Sequence, residues 1–135
     1  MAEWGDLVAY IRESYRVVRD EPDELRIRLV FGDDPNTEQR AQIVVIAREI
    51  LDQREDWVQI ATPFARHDEV DLLEVLTEVG EAIVVGGLAV MGEHVVLRHS
   101  LPLINLDINE FTDPLDLVAS GAEQLERWFT GRDDY

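Results

Sequence analysis

The stretch Gln39-Arg40-Ala41-Gln42-Ile43-Val44-Val45-Ile46-Ala47-Arg48-Glu49-Ile50-Leu51 decides the fold, because it reads two ways. Its ends, with Glu38, Gln39 and Ala41 before and Arg48-Glu49-Ile50-Leu51 after, suit a helix. Its centre, Ile43-Val44-Val45-Ile46, is a β-branched run. Such side chains lose rotamer freedom on a helix and pack well on a pleated surface, so we read a strand. Working outward, the polar tetrad Asp52-Gln53-Arg54-Glu55 links it to a second run, Trp57-Val58-Gln59-Ile60-Ala61-Thr62. Upstream, Leu25-Arg26-Ile27-Arg28-Leu29-Val30-Phe31 is apolar at every odd position, with Arg26 and Arg28 pointing the other way. The turn formers Gly32-Asp33-Asp34-Pro35-Asn36 separate these strands, which completes an antiparallel meander.

Helical spacing frames the meander. Trp4, Leu7, Val8, Ile11, Tyr15 and Val18 form one stripe, which Asp20-Glu21-Pro22-Asp23 ends because proline disfavours helix at the residue before it. Val70, Leu73, Leu76 and Val79 mark a short second helix with Asp68 as N-cap and Gly80 near its end. Ile83 to Met91 and His94 to Leu101 flank Gly92-Glu93 as a hairpin, with Gly86-Gly87 marking a bulge or bend. Phe111, Leu115, Val118, Ala122, Leu125 and Phe129 define the clearest helix. Two start signals precede or open it, Asp107 with Glu110 and Asp113-Pro114, and Gly131 marks its stop. The expected fold is therefore α+β: one domain over residues 1–135, with a five-stranded antiparallel sheet in the order α-β-β-β-α-β-β-α. The long first and last helices lie on one face.

The runs Ile43-Val44-Val45-Ile46 and Ile83-Val84-Val85 are apolar on both sides of a pleat and call for cover on both sheet faces. Three helices cover only one, which leaves apolar surface for a second copy of the chain or for an added peptide. Composition narrows the partner. The 135 residues carry 12 basic and 29 acidic side chains, a net charge of −17, which disfavours phosphate backbones and anionic lipid. Every basic residue is arginine, so no lysine is present for a Schiff base or a phosphate loop. Absent cysteine excludes disulfides, thiolate nucleophiles and cysteine-held metal, and is compatible with a cytoplasmic protein. The amino-terminal residues do not have the pattern of a secretory signal, and the nearly apolar run Ala82 to Gly92 is too short for a membrane span.

Residue chemistry assigns no reaction. His94 and His99 are separated by an odd number of residues and face opposite sides of one strand, which argues against a joint metal site. His67 beside Asp68 and Asp71 reads as helix capping. Ser100 next to His99 points away from it, and no Gly-x-Ser-x-Gly surrounds any serine. Paired acids are too abundant to single out a cleft, and no Gly-x-Gly-x-x-Gly occurs. No catalytic residue, metal or cofactor is expected.

Arg98-His99-Ser100-Leu101-Pro102-Leu103, Asn105-Leu106-Asp107, Glu110-Phe111 and Pro114-Leu115-Asp116-Leu117-Val118 resemble the C-terminal half of bacterial YbjN-like domains, grouped with type III secretion chaperone-like folds. Gly86 to Val90 and the all-arginine basic set are similar to the actinobacterial branch, and Ala122 to Glu126 to the family's last helix. Gly121 stands where an alanine is usual and Glu123 where an aspartate often stands. The resemblance implies a small acidic homodimer that binds an extended client peptide, without a catalytic step. The expectation is thus a non-enzymatic, chaperone-like cytoplasmic homodimer favouring basic or unfolded clients. Arg98, His99 and Trp57 are its candidate recognition residues. The alternative is a small-ligand protein or enzyme using Arg98, His99 and a carboxylate in a pocket between helices and sheet.

Overall fold

A computed structural model describes residues 3–32 and 39–135; Asp33 to Asn36 of the expected turn lie outside the described residues. The deciding stretch is a strand, β3 (Arg40–Leu51), at the centre of the sheet. β2 (Glu24–Phe31) pairs antiparallel on one side of it and β4 (Glu55–Arg66) on the other. Beyond them stand β1 (Arg16–Glu21) against β2, and β6 (His94–Pro102) against β4 with β5 (Gly87–Met91) outside it. The described sheet has six strands in the order β1-β2-β3-β4-β6-β5, so the expectation of five is corrected.

The extra strand comes from a helix that stops early. α1 (Trp4–Ser14) ends four residues before Val18, and Arg16 onward turns back along β2. Val18 continues the helical spacing but is exposed, so burial does not hold it on a helix. The order is therefore α-β-β-β-β-α-β-β-α, and the first helix is short, at 11 residues. α2 (Leu72–Ala82) is capped by Asp71, whose carboxylate accepts from the Leu73 and Glu74 N–H groups, rather than by Asp68. Ile83-Val84-Val85 is not strand: Val84 is 93% exposed, and Gly86 takes φ +104° before β5 begins at Gly87. A Gly92-Glu93 turn joins β5 to β6, with Met91 opposite His94.

α3 (Ile108–Phe129) starts at Asp107, whose N–H is accepted by the Glu110 carboxylate at 3.0 Å. Of the two start signals this one sets the N-terminus, and Pro114 falls inside the helix. Gly131, at φ +69°, closes the other end by donating to Glu126 and Arg127 carbonyls. Leu7 and Ile11 of α1 and Phe111, Leu115, Val118 and Leu125 of α3 share one fully buried cluster with Leu25, Ile27, Val44, Ile46, Val58, Ile60 and Leu97. Val75 and Val79 of α2 join the same cluster. Register places these strand residues on one side, so the helices lie on a single sheet face. Burying each such side chain contributes about 1.5–3 kcal/mol.

Gly121 and Glu123 of α3 each have a structural setting. A Cβ on Gly121 would approach side-chain carbons of Ile83 and Leu97 at 3.2 Å, so glycine lets α3 lie close to the sheet. Glu123 is buried and accepts from Arg40 Nε at 2.5 Å, tying α3 to the start of β3.

Candidate functional site

Among the described residues, no helix lies on the other sheet face. A groove of about 530 Å³ runs over it, with apolar walls from Ile43, Val45, Ala61, Pro63, Met91 and Val96. No residue of the three helices lines it. The groove opens where the central ladder loosens. The pairing of β3 with β4 reaches only Val45 opposite Ala61, and beyond it β4 contains Pro63, which cannot donate a backbone bond. Side chains replace the ladder there: Gln42 donates to Thr62 Oγ1 at 2.8 Å and to the Pro63 carbonyl at 2.7 Å, while Thr62 donates to the Ile43 carbonyl at 2.9 Å. Gln42 and Thr62 are fully buried on the helix side of this gap.

Residues on the open face fall into cross-strand rows. Arg19, Arg26, Val45, Ala61, Arg98 and Gly87 stand opposite one another in turn. Next to them runs Arg16, Arg28 and Ile43, and on the other side Glu21, Glu24, Ala47, Gln59 and Ser100. The β1–β2 half of this face thus carries Arg16, Arg19, Arg26 and Arg28, out of 12 basic residues in a chain of net charge −17. Glu21 and Glu24 lie in the same half, so its four arginines exceed its acids by two, and this part of the open face does not share the acidity of the whole.

The segment following α3 closes one end of the groove. Glu126 Oε2 accepts from the Asp134 and Tyr135 N–H groups at 2.7 and 3.2 Å, and the Asp133 carboxylate accepts from Ala41 N–H. Arg132 pairs with Glu69, and Arg40 donates to the Arg132 carbonyl. Tyr135 consequently reaches the open face, edge-on to His94 with ring centroids 5.5 Å apart. Burial pushes the Glu126 carboxyl up to about 7 against the opposing pull of its two N–H donors. Burial likewise raises the Tyr135 hydroxyl.

Of the candidate recognition residues, Arg98 and Trp57 share the open face, Trp57 standing opposite Glu49 and Pro102. Arg98 donates to Glu49 and Ser100 at 3.3 and 3.4 Å, and Ser100 donates to Glu49 at 3.3 Å. Glu49, Trp57 and Ser100, with Ile50 and Leu51, also line a concavity of about 250 Å³. His99 stands opposite Ile60 and so points to the helix side, away from Arg98. His94 and His99 face opposite sides of β6, as their spacing requires.

Among the described residues no group of His, Asp or Glu side chains could hold a metal ion, and no helix is long and apolar enough to cross a membrane. No protein-family model matches the sequence, and no curated protein matches it.

Proposed function

We propose that the protein is a non-enzymatic, chaperone-like binding module that acts as a homodimer and holds an extended peptide segment of a client protein on the open sheet face. One observation carries this reading: the groove of half-exposed Ile43, Val45 and Pro63 with Val96 has no helix over it. Apolar surface of this kind gains free energy when an extended segment covers it. The YbjN-like resemblance in Arg98 to Val118 supports the same class of function. The second copy is assigned to the β5 edge of the sheet, where Leu73 and Leu76 of α2, Val84 of the connection after α2 and Val90 of β5 are exposed. β5 is a short edge strand, Gly87–Met91, without a charged residue, so its outer edge can accept a partner strand.

The test combines mass and binding. Sedimentation should give twice 15.5 kDa, falling to the single-chain mass in a Leu76→Asp, Val84→Asp variant. Labelled peptides of about eight residues span roughly 26 Å, enough to cross six strands spaced about 4.8 Å apart. Fluorescence anisotropy should detect one or more of them bound to the native protein, and Val45→Asp should abolish binding without changing the sedimenting mass. A single-chain species, or peptide binding indifferent to Val45→Asp, would refute the proposal.

A further inference from the structure

With 29 acids available for 12 arginines, an arginine without a carboxylate is the exception in this chain. Arg12, Arg19, Arg26, Arg40, Arg48, Arg66, Arg98, Arg127 and Arg132 each hold one. Arg16, Arg28 and Arg54 make no ion pair with any described residue. Arg54 lies in the turn after β3, beside Glu55 and Asp56. Arg16 and Arg28 stand directly opposite each other on β1 and β2. Like charges in that position repel, with Cβ atoms only about 5 Å apart, and folding alone gives no reason to put them there. The neighbouring pair, Arg19 and Arg26, is neutralised within its own strands by Glu21 at 2.7 Å and Glu24 at 3.2 Å. The uncompensated pair is therefore specific to one row, and that row continues into Ile43, a wall of the groove.

We infer that Arg16 and Arg28 receive the carboxylate of an acidic side chain on the bound peptide, whose apolar side chains lie over Ile43, Val45 and Val96. This rests on the binding-module reading and names the client's chemistry: the docked segment is acidic and apolar, not basic, although the chain as a whole is acidic. Two guanidinium groups so placed converge on one carboxylate with charge-assisted hydrogen bonds. Side chains on the same side of an extended peptide repeat every two residues, about 6.7 Å. Arg28 and the groove centre are separated by one to three strand spacings of about 4.8 Å, so the acid belongs two or four residues from the first apolar anchor.

The probe is the labelled peptide Glu-Ser-Val-Ser-Val-Ser-Val-Ser, compared with versions in which Gln or Lys replaces Glu. The native protein should bind the Glu peptide at least about tenfold more tightly than the Gln peptide, and the Lys peptide most weakly. A double Arg16→Glu, Arg28→Glu variant keeps a like-charge pair in the same register and should invert the order, favouring Lys. Equal affinity for all three peptides, abolished by Val45→Asp, would overturn this inference while leaving the binding module intact. No peptide binding, with face-to-face dimers broken by Val45→Asp, would make a second copy the occupant and overturn both.

Discussion

Replacing Glu126 by Gln tests how the segment carrying Tyr135 is anchored at the groove. Glu126 is fully buried; its Oε2 takes two backbone N–H groups, while Oε1 is buried without a partner. Its folded pKa of about 7 lies above the unfolded value of 4.5. Raised pKa means the folded state holds the proton more tightly, so this contribution is full below 4.5 and is lost as pH rises through about 7. Integrating the linkage from about pH 5.5 to about pH 8.5, at 1.36 kcal/mol per unit, gives a loss of about 2 kcal/mol. Glutamine keeps an acceptor for the two N–H groups and does not titrate. Whatever its amide costs at the Oε1 position applies equally at both pH values, and the remaining carboxylates are common to both proteins. The stability of Glu126→Gln relative to the native protein should therefore improve by about 2 kcal/mol between the two conditions, both above the pI of 4.3. Urea unfolding followed by fluorescence of Trp4, Trp57 and Trp128 measures it. A stability difference independent of pH would refute the reasoning.

Thr62→Val keeps the shape but removes the hydroxyl that bonds the Ile43 carbonyl and accepts from Gln42. It should lower stability by about 1–3 kcal/mol through buried groups left unpaired, read as a lower urea midpoint at unchanged slope. Gly86→Ala places a Cβ 3.3 Å from the Arg98 carbonyl at φ +104°, a conformation open to glycine. It should cost about 1–3 kcal/mol and speed amide exchange along β5, leaving β2 and β3 protected.

The helices and central strands were legible where one side chain pattern met one buried face. Leu25 to Phe31 alternates because its odd residues meet the helices, and Phe111 to Phe129 repeats because α3 lies along the same core. The strand β1 was not legible: its side chains are nearly all exposed, so backbone pairing to β2 leaves no hydrophobic period, while exposed Val18 mimics the helical one. Half of the arginines on this part of the open face come from β1. The alternation of β2 shows Arg26 and Arg28 as outward residues, but the cross-strand pairs Arg16–Arg28 and Arg19–Arg26 arise only once β1 exists. Ile83-Val84-Val85 misled for the opposite reason, since β propensity without a paired neighbour leaves an exposed connection. Of the two runs that call for cover on both faces, only Ile43-Val44-Val45-Ile46 lies in the sheet, and the odd residues Ile43, Val45 and Ala47 of β3 form the bare face.

The central claim is that this bare face is where another chain docks. Methyl-detected NMR of the native protein during titration with Glu-Ser-Val-Ser-Val-Ser-Val-Ser tests it most directly. The account predicts progressive shifts for Ile43, Val45 and Val96 methyls, with Leu117 on the outer side of α3 unmoved. Stationary groove methyls at peptide saturation, with shifts confined to helical residues, would contradict it.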